Sequence, residues 1–204
     1  MHASNPIGGE GPKRRELRPD LWSCLFWSAA LLLMPLLFAC STPDIQAEPH
    51  ELSHFQIYFN NDRLTQGETV CDAVFPVSRA TPSSSIQPSL LLETLFLGPT
   101  PDERIQGYHS FFSERTAGLL RRMKIEAGTA YIDLHDLRTE LSGITSSCGG
   151  AEFFNQIERT LAVIPGIARI IFAIEGNPKA FYDWMEMECD ARNDQCDPRP
   201  FGSP

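Results

Sequence analysis

Four cysteines, Cys71, Cys148, Cys189 and Cys196, are the side chains of this sequence whose type and spacing point most directly to chemistry. A metal site needs close ligand pairs of the C-x2-C kind, and the chain has none. An even number of cysteines in an oxidising compartment reads as disulfides, and four allow three connectivities. Cys71 and Cys148 are 77 positions apart. In the chain-entropy description a bridge between them contributes about 4.5 kcal/mol, and a local bridge from Cys189 to Cys196 about 2.5 kcal/mol. Crossed pairings stay open. Cys148 falls at the expected start of a helix, where a thiolate is favoured. A nucleophilic role needs a base beside it, and no histidine neighbours it in sequence.

Asp133, His135 and Asp136 have metal-ligand chemistry. On a strand, however, Asp133 and His135 share the face opposite Ile132 and Leu134, which is expected to be wet. His54 and His109 lack regular ligand spacing. The tail segment DARNDQCD carries oxygen ligands but neither the turning glycine nor the closing glutamate of a calcium loop. G-x-S-x-G, H-E-x-x-H and glycine-rich phosphate loops are absent. The expectation is a protein without catalytic residues, metal or cofactor.

A different cysteine suggests where the molecule works. Leu21 to Ala39 is an uncharged run of 19 residues, preceded by Lys13, Arg14, Arg15 and Arg18 and followed by Cys40 and Ser41. The length suffices for one bilayer-crossing helix, and the basic flank is that of an export signal. Leu37-Phe38-Ala39-Cys40 resembles the lipobox of bacterial lipoproteins, in which the cysteine thiol receives the lipid. The same run also reads as an uncleaved signal anchor, a reading favoured by Phe38 in place of a smaller residue. Either way the expectation is a bacterial envelope protein, membrane-anchored through lipid or helix, with everything after Cys40 outside the cytoplasm.

The chain is 204 residues long with 17 basic and 26 acidic side chains. Residues 1–39, the export signal, take 4 and 3 of these, leaving the 165-residue remainder at a formal charge of −10. An acidic surface of this kind argues against nucleic acid and against basic-patch adhesion to anionic lipid. The remaining length suits one domain with a sizeable core.

The elements that must position these residues follow from pattern. Residues 40–53 are polar, with Pro43 and Pro49, and read as a flexible tether. His54 to Asn60 suits a first strand, and Cys71 to Arg79 an edge strand, since Pro76 lies in it. Ser85 is positioned to cap a helix from Ile86 to Leu97 that buries Leu91, Leu92, Leu95 and Phe96. Thr100-Pro101-Asp102-Glu103 has capping-box spacing. Met123 and Ile125 lead into a hairpin through Ala127-Gly128, then Ala130, Ile132 and Leu134. A second helix runs from Gly149 to about Val163 on a stripe of Phe153, Phe154, Ile157 and Leu161. Ile167 to Glu175 is an apolar strand covered on both faces. A helical stretch from Lys179 to Met187 carries Phe181, Tyr182, Trp184 and Met185, which either pack on the sheet or form an exposed patch for a partner. Residues 189–204 read as an acidic, proline-rich tail. One small sheet with both main helices on one face gives an α+β, two-layer domain over residues 54–188.

Several of these segments taken together resemble the GerMN domain of spore germination and sporulation proteins. The pieces are LLETLFLGPTPDERIQGYHSFF from Leu91, GTAYIDL from Gly128, SCGGAEFFNQIERTLAVIPGIARI from Ser147 and the closing Ile174-Glu175-Gly176. Cys71, Phe75-Pro76-Val77 and Arg79 fit a subtype with an early cysteine. The resemblance spans Phe55 to Asn177. It implies a mixed α+β fold similar to ring-building motifs, an envelope lipoprotein setting, and assembly with a protein partner or with itself. The rival from another class is a module binding a cell-wall peptidoglycan or peptide ligand.

Overall fold

The computed structural model describes residues 52–66 and 70–202. The export signal, Cys40 and nearly all of the expected tether lie outside the described residues. Phe55, Ile57 and Phe59 alternate with more polar neighbours, so one face of the first strand is apolar and enters the core. This strand, β1 (Ser53–Asn61), pairs antiparallel with β2 (Val74–Thr81), placing Ile57 opposite Val77 and Phe59 opposite Phe75. Pro76 lies opposite Tyr58. The Tyr58 N–H turns away from β2 and donates to Thr160 Oγ1 at 3.1 Å. This pair therefore exchanges no ladder bonds, and the missing proline N–H costs none. Among the described residues, β1 meets on its other edge only the two-residue β3 (Tyr108–His109), at Asn60 and Asn61.

A second sheet has the order β4-β5-β6. The strands β4 (Leu120–Glu126) and β5 (Thr129–Leu134) form the expected hairpin. Its two turn residues, Ala127 and Gly128, both have positive φ, at 46° and 76°, as a type I′ turn requires. Strand β6 (Arg169–Ile174) runs parallel to β5, and Ile171 to Ile174 are all buried, matching a strand covered on both faces. The α+β class holds, and the strands divide between two three-stranded sheets rather than sharing one. On β1 the second edge is taken near its end by β3 and at Tyr58 by Thr160, and the hairpin pairs with β6 instead.

Among the described residues four α-helices fill in the rest: α1 (Pro88–Phe96), α2 (Pro101–Ile105), α3 (Ser147–Leu161) and α4 (Pro178–Trp184). Ser85 does not cap α1. The chain before Pro88 is held extended, with Gln87 at φ −78° and ψ 138°, so the helix starts at the proline. The capping box of α2 forms in full: Glu103 N–H donates to Thr100 Oγ1 at 3.3 Å, and Thr100 N–H donates to Glu103 Oε2 at 2.8 Å. Helix α1 packs on α3, β1 and β4, while α3 packs on β1 and β2. One core therefore runs through both sheets. Leu91, Leu92, Leu95 and Phe96 of α1 meet Phe112, Phe153 of α3 and Phe172 of β6 in it.

The segment expected as a tail is folded. Phe201 is 2% exposed and stands edge-on to Tyr131 of β5, with ring centroids 5.6 Å apart. Short 3-10 turns at Ala191–Asn193 and Arg199–Phe201 carry the chain there.

Candidate functional site

The cysteines pair as Cys71–Cys148 and Cys189–Cys196. The first bridge pins the segment between β1 and β2 to the opening turn of α3. That turn is built tightly. Ser146 caps it, accepting from Gly149 N–H at 3.1 Å. A side chain at position 149 would place its Cβ 2.2 Å from the Gly143 carbonyl oxygen, so only glycine fits. The sequence SCGG is thus a cap, a bridge and a close approach in succession.

Beside this bridge is a cavity of about 140 Å³ lined by both cysteines, Asn60, Asp62, His109 and Glu152. Sequence spacing gave no sign that His109 would come here; β3 brings it, by pairing with Asn60. His109 Nε2 lies 3.0 Å from Asp62 Oδ1. Burial pushes the Glu152 carboxyl above its ordinary value, with His109 pulling down and Asp62 pushing up. Asn60, 2% exposed, has every polar atom engaged. Its Nδ2 donates to the Cys71 and Ala73 carbonyls, each at 3.0 Å, and its Oδ1 accepts from Gln156 at 2.7 Å. With both sulfurs bridged, neither cysteine is a free thiol here.

Asp133 was expected on a wet face and is instead 1% exposed. The correction has a clear cause. Arg121 Nη1 and Arg122 Nη2 reach its Oδ2 at 2.5 and 3.4 Å, and Gly176 N–H donates to its Oδ1 at 2.7 Å. Three donors replace the water that the carboxylate lost. His135 and Asp136 do not join it. His135 Nδ1 lies 3.0 Å from Glu175 Oε1, and Asp136 pairs with Arg138. The suggested metal trio does not converge on one point. Arg121 links Asp133 to Glu175 at 3.2 Å, and Glu175 in turn meets His135 and accepts from the Asp136 N–H at 3.2 Å. Arginines and Glu175 thus stand between the three side chains.

Arg79 and Glu103, far apart in sequence, meet at 2.5 and 2.8 Å, with side chains 19% and 13% exposed. Burial alone would raise the Glu103 carboxyl. Arg79 and the Thr100 N–H outweigh it and hold the group below its ordinary range. The GPT-x-x-E word thus docks α2 onto β2. Its glycine is equally fixed, since Gly98 has φ 74° and a Cβ there would lie 2.1 Å from the Phe112 carbonyl oxygen.

Phe181, Tyr182, Trp184 and Met185 do not form an exposed patch. Phe181 is fully buried, Tyr182 2% and Met185 6% exposed, and only Trp184 is partly open. Phe181 stacks on Phe172 of β6, with centroids 4.8 Å apart, because α4 lies directly on that strand.

What stays open is a groove of about 460 Å³, lined by His54, Phe55 and Gln56 of β1, Ser78 of β2, and Ile86, Val163 and Ile164. Val163 is 46% exposed. The sequence did not reveal this groove, because it arises where the end of α3 runs beside an unpaired strand edge. Cys40, the lipidation candidate, lies outside the described residues. Among the described residues no helix is long and apolar enough to cross a membrane.

A family model described as Germane, sporulation and spore germination, matches residues 56–180. The match covers the segments that carry the GerMN resemblance. Comparison with curated proteins and with solved structures gives no match.

Proposed function

Because the chain belongs to the Germane family of sporulation and spore germination domains, we propose that it is a non-enzymatic, lipid-anchored envelope protein whose domain assembles with a protein partner or with itself. One observation carries the reading. The polar groups best suited to chemistry are spent inside the domain: Asp133 on two arginines, Glu103 on Arg79, and the cysteines on each other. The open groove, by contrast, combines apolar Phe55, Ile86, Val163 and Ile164 with uncharged Gln56 and Ser78, and His54 is its one titratable group. Such a surface is suited to burying a partner rather than to transforming a substrate.

The anchor comes from the apolar run ending at Cys40, and it places the domain outside the cytoplasm, facing other envelope components. The rival reading is a cell-wall ligand module. The cavity beside Cys71–Cys148, at about 140 Å³, is below the roughly 300 Å³ of ordinary ligand sites, whereas the groove of about 460 Å³ is large enough for a small ligand, so the two readings are separated by experiment.

Crosslinking in intact cells tests the assembly reading, with discrete adducts expected on the domain and retention on purified peptidoglycan not expected. Retention on peptidoglycan without any adduct would favour the rival. Palmitate labelling tests the anchor. Incorporation should vanish in Cys40→Ala, and unchanged labelling would rule out lipid at that thiol.

A further inference from the structure

In an antiparallel strand, the N–H and C=O of one residue point to the same edge, and successive residues alternate between edges. Tyr58 turns its N–H away from β2, so His54, Gln56 and Asn60 turn theirs the same way. This second edge of β1 is consumed in order. Asn60 is met by β3, and Tyr58 by the Thr160 hydroxyl. Gln56 and His54 come next, and among the described residues no backbone or side-chain group bonds their N–H or C=O on that side. Both residues are exposed, and both line the open groove. The far walls are Val163, Ile164 and Ile86, which are apolar and carry no competing hydrogen-bonding groups on their side chains.

From this geometry we infer that the groove is a strand-addition site: an extended segment of a partner protein pairs with β1 at His54 and Gln56. The inference rests on the assembly reading above and specifies its mode. Three features fix the occupant. Free donors and acceptors on a strand edge accept an extended backbone, since main-chain bonds supply affinity and pockets for alternate side chains supply specificity. The apolar walls require apolar side chains at every second position. The chain after residue 39 carries a formal charge of −10, so by charge complementarity the segment is neutral or basic. The groove volume, about 460 Å³, lies within the range of ligand sites and suits a few residues rather than a domain.

The test uses the full chain in detergent and a synthetic peptide probe, acetyl-Lys-Val-Thr-Val-Thr-Lys-amide. Two variants of the probe are N-methylated, one at the valines and one at the threonines. Only one set of N–H groups can face β1, so one methylated probe should bind at least tenfold more weakly and the other should bind nearly as the parent. Val163→Asp should weaken the parent at least tenfold. Amide exchange at Gln56 should be fast in the free protein and at least tenfold slower with probe. Equal binding by both methylated probes, or no binding of the parent, overturns the proposal. Protection of Gln56 without probe also overturns it. Concentration-dependent protection would assign the edge to a second copy, and protection lost on deleting residues 41–50 would assign it to the chain's own tether. Probe binding with no crosslinks in cells would sink the assembly reading alone. Crosslinks elsewhere on the domain, with no probe binding, would sink the strand-addition site alone.

Discussion

Asp133 is almost fully enclosed, and what encloses it decides the result of replacing it. Removing the carboxylate leaves the Gly176 N–H without an acceptor and takes a partner from Arg122, while Arg121 keeps Glu175 at 3.2 Å. Asp133→Ala should therefore lower stability by about 2 kcal/mol in urea unfolding, the scale of lost hydrogen bonds to a charged group plus one unsatisfied donor. A loss below about 1 kcal/mol would mean that solvent reaches the site. Glu103 allows a test with a sign. Its folded pKa lies below the ordinary value of 4.5, so its contribution is complete above that pH and is lost as pH falls through the depressed value. Glu103→Gln should cost about 2 kcal/mol near pH 6, the scale of a charge-assisted hydrogen bond. The gap between the two proteins should narrow steadily toward pH 3, and a gap that stays constant with pH would remove the ion pair as its cause. Burial pushes Glu152 and Glu158 the other way, so the wild-type acid limb reports their sum. Only the difference from the variant isolates Glu103.

Among the elements, those with strong local signals were legible from sequence and those made by tertiary pairing were not. The capping box of α2, the Ala127-Gly128 hairpin and the stripe of α3 each follow from a few adjacent residues, and each forms as read. The single sheet did not form, because strand partnership depends on what reaches the edge of β1, and Thr160 lies 102 positions from Tyr58. The burial of Asp133 was illegible for a similar reason: alternation gives the face, but the arginines that line it come from β4. Phe181 and Tyr182 were readable as core or as patch until α4 was placed on β6. The groove could not be read at all, being the meeting of a strand edge and a helix end. The opening turn of α3 gives an element-scale prediction. Gly149→Ala must move the Gly143 carbonyl, so the turn and the cavity beside Cys148 should both distort. A loss of about 2 kcal/mol is expected from overpacking. Gly150→Ala, one position on and with its nearest contact at 3.5 Å, should cost well under half of that in the same thermal melt. Helix propensity favours alanine at both positions, so equal losses would show that the close approach at Gly149 does not set the cost.

At the scale of the whole molecule, the family match ends at residue 180 while the core does not. Tyr182, Met185 and Phe201 are all buried beyond that point, and Phe201 covers Tyr131 on the face of β5. The Cys189–Cys196 bridge closes the loop that delivers Phe201 to this position. The final residues therefore act as a strap over the second sheet, and their contribution to stability is separable from that of the family core. Ending the chain after residue 188 should cost about 3 to 5 kcal/mol, the range for deleting a buried phenylalanine. Phe201→Ala in the full chain should reproduce most of that loss. Replacing both Cys189 and Cys196 by serine should cost less, about 2.5 kcal/mol from loop closure alone. Urea unfolding of the three proteins beside the full chain orders them. A truncated protein as stable as the full one would mean that Phe201 rests on the sheet without supporting it, whereas the expected order places the strap within the cooperative unit. In that case β1 at one end of the described chain and the strap closing over β5 at the other bracket the same core, so unfolding either end should loosen both sheets together.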